Sequence, residues 1–422
     1  MHHFETIDGV LHCEGISVPD IAREVGTPFY LYSAATLRHH FQVFDQAFSD
    51  LPHITAFAVK ACSNLAVLSL LGREGAGADI VSGGELFRAL KAGIPAGRIV
   101  FAGVGKTGHE IGEALDAGIL LFSVESEAEL ELINQVAGER GAVAPVALRV
   151  NPDVDPKTHP YIATGLSESK FGIPTRKAVE AFKQANALPH IRVVGMHQHI
   201  GSQITEVAPF VEAVQHAADM VNTLRAAGLT IDYLDIGGGV GIPYHADTAE
   251  KPPGPGVMAE AVKPLLKALN VTVITEPGRG IAGNAGIFVT EVLRLKQSGG
   301  EKTFVIVDGA MNDLLRPSLY NAHHDVQPVV KPAASTRKVL ADVVGPICES
   351  GDFLAKNRTL ECPAPGDLLA VMSAGAYGFT MASNYNSRPR VAEVLVDGDR
   401  FHVVRQRENY DDLIRREEIP WA

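Results

Sequence analysis

At 422 residues, with 46% hydrophobic and 20% charged side chains, the chain reads as a soluble globular protein too long for one ordinary core, and two domains are expected. A net charge of −12 argues against a nucleic-acid or anionic-membrane surface, and no apolar run approaches the roughly 18 residues a membrane span needs. Cys13, Cys62, Cys348 and Cys362 are scattered without metal-ligand or disulfide spacing, and Met1 to Asp8 lacks the apolar core of a signal peptide, so reduced thiols and a cytoplasmic location are expected.

Residues 1–32 hold short strand-like pieces such as Pro28-Phe-Tyr-Leu-Tyr32, and Ser33 reads as the N-cap of a helix from Ala34 to Phe48. A rhythm begins at residue 53. Apolar, β-branched runs recur at 53–61, 77–82, 98–103, 119–124, 145–151, 192–199, 232–236 and 271–276, with amphipathic helical patterns between them. Eight strands alternating with helices predict a (β/α)8 TIM barrel over 33–282, with a doubly wound open sheet as the competing arrangement. After residue 283 the runs 287–295, 303–308, 368–372 and 391–396 read as strands without intervening helices. They predict a mostly β C-terminal domain, sandwich- or barrel-like, formed by 283–422 together with 1–32. Glu408 to Arg416 reads as a short charged helix.

In such a barrel the C-terminal strand ends converge on one mouth, where chemistry sits. Lys60 closes the first strand; taken alone it is either a snorkelling lysine or a desolvated amine able to form a Schiff base. Asp79, Asn151, His197 and His199 lie in later strands, Gly237-Gly-Gly239 ends the seventh, and Glu276-Pro-Gly278-Arg279 ends the eighth. Three glycines expose bare backbone N–H groups, and loops seven and eight of barrels often bind phosphate. A strand-end lysine, a phosphate nest and the acid Glu276 are what pyridoxal 5'-phosphate requires: an amine for the aldehyde, amides for the phosphate and a carboxylate that keeps the pyridine nitrogen protonated. His199 is then either packed on the ring or a hydrogen-bonded core histidine. Zinc on His197 and His199 lacks a third ligand, and no metal is expected.

From about residue 20 to 415 the chain resembles the diaminopimelate decarboxylases, in the alanine-racemase-fold (group IV) family of pyridoxal-phosphate decarboxylases that also holds ornithine and arginine decarboxylases. The resemblance is carried by Phe57-Ala-Val-Lys60-Ala61, His197-Gln-His-Ile-Gly-Ser-Gln203, Gly237-Gly-Gly239, Glu276-Pro-Gly-Arg279, Arg316-Pro-Ser-Leu-Tyr320, Cys348-Glu-Ser-Gly-Asp352 and Ala376-Tyr-Gly378. It implies Lys60, Glu276, His199 and Cys348 as catalytic residues, with Cys348 the proton donor after carbon dioxide leaves. It implies a cofactor site of Lys60, Asp79, His199, Ser202, Gly238, Gly239, Glu276, Gly278, Arg279 and Tyr377. It also implies a homodimer in which the Cys348 loop of one subunit completes the other's barrel mouth. Gln198, where relatives often carry an apolar or small residue, is expected to point away from the cofactor.

Glu276 points to decarboxylation, since racemases of this fold place an arginine against the ring nitrogen. Arg279 and Arg316 offer partners for a distal carboxylate and Glu349 for a distal amine, with Tyr320 and Tyr377 beside them in the family pattern; Arg316 taken alone would read as a solvated surface arginine. The expected reaction is meso-diaminopimelate to L-lysine and carbon dioxide, the last step of lysine biosynthesis. The competing readings are a decarboxylase of carboxynorspermidine, ornithine, arginine or a carrier-bound glutamyl group, and a non-enzymatic pyridoxal-phosphate-binding protein.

Overall fold

A computed structural model describes residues 2–155, 170–245, 252–297, 299 and 302–421. The chain divides into two compact units: Arg38–Pro243 with Ala249–Ile281, and Met1–Leu37 with Tyr244–Thr248 and Ala282–Ala422.

The first unit is a closed barrel. Its parallel strands are His53–Ala58, Gly77–Ile80, Ile99–Phe101, Leu121–Val124, Ala144–Asn151, Ile191–His197, Tyr233–Asp235 and Thr272–Thr275. The last pairs with the first, Val273 opposite His53 and Thr275 opposite Thr55, which rules out the open doubly wound sheet. Ile54, Ala56, Val100, Leu121, Ala147, Val194 and Ile274 fill the interior, so the barrel is plugged by side chains below its mouth. Helices start soon after each early strand end because a polar cap waits there. Asn64, Ser82 and Ser126 accept from the first-turn amides of helices Leu65–Arg73, Gly83–Lys91 and Glu127–Glu139, and Thr107 with Glu110 forms a capping box on Gly108–Ala117.

The second unit is built on an antiparallel-rich sheet. Its central strand, Phe29–Ser33, runs antiparallel to Gly286–Gln297 and parallel to Ala392–Asp397. Alternate residues of these strands, Phe29 and Leu31, Ile287 and Val289, Val394 and Val396, enter one core with Phe4, Leu11, Val18 and Ile21. The sheet is larger than the four strands read after residue 283: Lys338–Val344, Phe353–Glu361 and Arg400–Arg405 also belong to it. The N-terminal stretch also holds a helix, Val18–Val25, which starts where Ser17 accepts from the Asp20 amide and Pro19 sits in the first turn. The C-terminal helix is shorter than expected, Tyr410–Ile414.

Candidate active site

The first strand stops at Ala58, two residues short of Lys60, which the sequence makes its closing residue; Lys60 occupies the single 3-10 turn Val59–Ala61 that follows. That turn directs the ammonium to Asp79 on the next strand, Nζ to Oδ2 2.5 Å. The lysine side chain is 38% exposed while Asp79 is wholly buried. Burial, followed by the nearby Glu276 carboxylate, pushes the Asp79 carboxyl up to about 6, with Lys60 opposing. Lys60 therefore keeps its stem inside and its nitrogen within reach of the mouth.

The histidines at 197 and 199, two apart in sequence, part company. His197 is the last residue of its strand, fully buried, with Nδ1 2.5 Å from Ser123 Oγ and Nε2 3.6 Å from Glu276 Oε2. His199 lies past the strand end, and its Nδ1 accepts the Gly238 N–H at 3.2 Å. Burial and then the Arg149 guanidinium press the His199 imidazole down to about 3, so it is a neutral aromatic face at working pH. Gln198 turns from its neighbours into an apolar pocket with Phe44, Ile200, Phe210 and Met258.

The glycine loop is a close-packed turn. A Cβ on Gly238 would sit 2.1 Å from the Glu276 carbonyl oxygen, and one on Gly239, whose φ is +116°, 2.5 Å from that of Gly201. Beside it Arg279 donates from Nε and Nη2 to Ser202 Oγ at 3.3 and 3.0 Å, so the loops after the sixth and eighth strands are tied together. Gly278 precedes Arg279 in this corner, its carbonyl accepting the Ile281 N–H.

Glu276 is buried, and its Oε1 has no hydrogen-bond partner among the described residues. Burial opposes its ionisation, but the His197 imidazole and then Lys60 hold its carboxyl below the usual range. Asp235, also buried, stands two residues before the glycines. Burial and the Glu276 charge raise its carboxyl well above the usual range. Two other buried ion pairs were not foreseen: Arg149 with Glu125 at 2.8 Å, and Lys106 with Glu129 at 2.5 Å. A polar residue inside an apolar barrel run is the signal that marks each of Asp235 and Arg149.

These residues fit pyridoxal phosphate. A lysine stands at the rim, a neutral imidazole lies past a strand end, Arg279 and Ser202 meet beside bare glycine backbone, and a buried carboxylate oxygen lacks a donor such as a pyridinium N–H supplies.

The remaining candidates lie in the second unit. Arg316 and Tyr320 bound the short helix Arg316–Tyr320, and Ser318 Oγ donates to the Gly351 carbonyl at 2.6 Å, fastening that helix to the loop that carries Cys348 and Glu349. Arg316 is buried, not a solvated surface residue: its Nη1 is 2.7 Å from His324 Nε2 and its guanidinium lies 4.7 Å over the Tyr244 ring. Cys348 and Glu349 are exposed; the Cys348 amide donates to Asn386 Oδ1 at 2.9 Å, and Asp352 accepts from the Ile347 amide at 2.7 Å, which fixes the loop's backbone while leaving its side chains open. Tyr377 has a left-handed backbone, φ +57°.

Residues 34–283 match the family model of the pyridoxal-dependent decarboxylase, pyridoxal binding domain. A diaminopimelate decarboxylase from Aquifex aeolicus is 50% identical over 412 residues, covering 98% of this chain and 96% of that one. One from Vibrio cholerae is 49% identical, covering 98% and 97%. The chain belongs to the diaminopimelate decarboxylase family. Among solved structures, the family member from Helicobacter pylori in complex with L-lysine superposes with a TM-score of 0.89 at 42% identity, covering 94% of this chain and 98% of that one. That from M. jannaschii, also with L-lysine, gives 0.93 at 37%, covering 100% and 99%. Pyridoxal phosphate is the cofactor of this pyridoxal-dependent group, and the carbon-carbon lyase activity of the family is the chain's enzymatic class. Among the described residues no helix is long and apolar enough to cross a membrane.

Proposed function

We propose that the chain decarboxylates meso-2,6-diaminopimelate to L-lysine, with Lys60 holding the cofactor's aldehyde carbon. The observation that carries this reading is the buried Glu276 carboxylate with an unpaired oxygen, in the same barrel mouth as Lys60. When bound, the cofactor supplies the electron sink for the pair left behind as the α-carboxyl departs. Glu276 holds a proton at the ring nitrogen. His199, neutral, packs on the ring face and keeps water from it. Ser202, Gly238, Gly239, Gly278, Arg279 and Tyr377 hold the phosphate, and Asp79 positions the Lys60 ammonium.

The distal amino-acid group of the substrate needs partners for both charges. Arg316, with Arg279 and Tyr320, takes the carboxylate and Glu349 the amine; the buried, stacked guanidinium of Arg316 is suited to a planar anion. Cys348 delivers the proton that replaces carbon dioxide at the α-carbon. The subunits pair as twofold dimers in which the Cys348 loop of each completes the other's barrel mouth, a reading supported by the exposure of Cys348 and Glu349 on a loop whose backbone is tightly held.

Carbon dioxide release by purified holoenzyme, measured on meso-diaminopimelate, L-ornithine and L-lysine, tests the assignment. A site built to pair a distal carboxylate should reject analogues lacking it by roughly 10⁴-fold in kcat/KM, and Arg316→Leu should erase most of that preference. Equal turnover of ornithine would assign the chain to another amino acid.

A further inference from the structure

Asp235 has no role in the reading above, yet it is placed at the centre of the buried charge. Its strand runs beside that of His197, with Asp235 opposite His197 in register. On the other side it lies opposite Ile274, which faces the barrel interior. Glu276 is two residues beyond Ile274 and so leaves the chain on the same side. One oxygen of Asp235, one of Glu276 and one His197 nitrogen consequently lie within 4.8 Å of one another, all three residues buried.

The hydrogen-bond inventory of this trio is incomplete. Asp235 Oδ1 accepts the Gly237 N–H at 2.8 Å, which locks the carboxyl plane. Asp235 Oδ2, Glu276 Oε1 and His197 Nε2 have no hydrogen-bond partner among the described residues, His197 Nε2 standing 3.6 Å from Glu276 Oε2. Two carboxylates this close, shielded from water, do not both ionise, because neither like-charge repulsion nor desolvation is relieved. A single proton on Asp235 answers both problems at once, and it occupies one of the two lone pairs of the Glu276 oxygen, leaving the other for the ring N–H. The groups that face the pair from neighbouring strands decide which carboxyl keeps it. Glu276 has the His197 imidazole at 3.6 Å and the Lys60 charge nearby, both favouring its anion. Asp235 faces Glu276 and Asp79, both anionic when ionised; the Gly237 amide favours its anion and the His197 imidazole stands opposite it in register, but the neighbouring carboxylates and burial outweigh them.

We propose that Asp235 is a positioning residue for Glu276: it carries the one proton the pair holds and donates it to Glu276, fixing that carboxylate as an anion aimed at the cofactor's ring nitrogen. The proposal rests on the assignment of Glu276 to that nitrogen. Asp235 does not touch the reacting atoms; it acts by keeping Glu276 ionised and oriented. The Ser123–His197 contact holds the other side of Glu276, so the carboxylate is clasped between a neutral acid and an imidazole.

The test uses holoenzyme loaded with pyridoxal phosphate labelled with ¹⁵N in the ring, whose chemical shift reports whether that nitrogen is protonated. Wild type and Asp235→Asn, which keeps both a donor toward Glu276 and an acceptor for Gly237, should give the protonated-nitrogen shift. Asp235→Val should move it toward the unprotonated value and lose on the order of 10- to 100-fold in kcat with little change in KM. Glu276→Gln separates the premise from the inference. If Glu276→Gln leaves the shift unmoved, the assignment of Glu276 is wrong and the inference falls with it. If Glu276→Gln moves the shift and Asp235→Val does not, only the role of Asp235 is refuted. Should Asp235→Val fail to bind cofactor, infrared difference spectra of wild type against Asp235→Asn decide: a buried protonated-carboxyl band must vanish in the variant, and its persistence overturns the proposal. A stoichiometric divalent metal held by His197, Asp235 and Glu276 in the purified protein overturns it as well.

Discussion

The barrel holds two lysine–carboxylate pairs with the same 2.5 Å separation and opposite characters. Lys106 is 0% exposed; its ammonium donates to the Gly103 and Ser123 carbonyls at 2.7 and 2.8 Å and to Glu129, so its three hydrogens are all committed. Lys60 pairs with a carboxylate just as buried, but its own side chain is 38% exposed. Burial lowers the Lys106 ammonium pKa and raises that of Glu129, each held in its charged form by the other. A desolvated, low-pKa lysine is often taken as the mark of a nucleophile. Here the more desolvated lysine is a structural clasp, joining the loop after the third barrel strand to the fourth strand. The less buried one stands at the end of the first barrel strand, where the proposed reading places the chemistry. Access, more than desolvation, separates them.

Substitution at both sites should break the symmetry cleanly. Lys60→Ala should abolish turnover and the borohydride-fixed attachment of cofactor, which peptide mapping of the wild type should locate at Lys60 and not at Lys106 or Lys170, while the urea midpoint falls by less than in Lys106→Ala, because Asp79 can take up a proton and no further carbonyl loses its donor. Lys106→Ala leaves Glu129 and two carbonyls buried without their donor and should cost about 3 to 5 kcal/mol of stability by urea denaturation. Lys106→Met combined with Glu129→Leu should recover the part due to the stranded Glu129 charge, but not the part due to the Gly103 and Ser123 carbonyls, which remain without their donor, as the Glu125 amide does without its acceptor. Attachment of cofactor to Lys106, or an unfolding penalty at Lys60 as large as that at Lys106, would dissolve the distinction.

The surroundings of Lys60 sharpen it further. If that site is organised for chemistry, Glu276→Gln should retain cofactor by absorbance and fold by circular dichroism but lose about 3 kcal/mol of transition-state stabilisation, on the order of 100-fold in kcat. Turnover close to wild type would mean that the buried carboxylate serves packing alone.

How much of this was legible beforehand follows from how local each signal is. The barrel strands announce themselves as apolar β-branched runs, and Lys60, His199, Glu276 and the glycines stand out because polar or bare residues end such runs. The strands Lys338–Val344 and Phe353–Glu361 are masked by outward-facing charges such as Lys338 and Lys356, which dilute the apolar signal of their buried halves. Asp235 could be seen as a carboxylate in a strand, but its meaning lies in register: that it faces His197 on one side and Ile274 on the other is set by pairing across 38 and 39 positions, as the residue numbers give. The Lys106 clasp is likewise long-range, since its partners at 123 and 129 are recruited from the next strand and helix.

The weakest expected signal concerns a residue far along the chain from Lys60. Cys348 is exposed, on a loop fixed by Asp352 and Asn386, and its proposed station is the partner subunit's barrel. Lys60→Ala and Cys348→Ala are each expected to be nearly inactive as pure dimers, since every site then lacks one essential group. In a mixed dimer with shared sites, one mouth carries both lesions and the other neither. Equal mixing with free subunit exchange makes about half the dimers mixed, each with one intact site of two, so activity should rise to roughly a quarter of wild type. If each subunit instead used its own Cys348, every site in the mixture would carry one lesion and nothing would be restored. Native mass spectrometry must establish exchange first; with mixed dimers demonstrated and activity flat, Cys348 serves its own barrel or no catalytic step, and the chemistry centred on Lys60 is complete within one subunit.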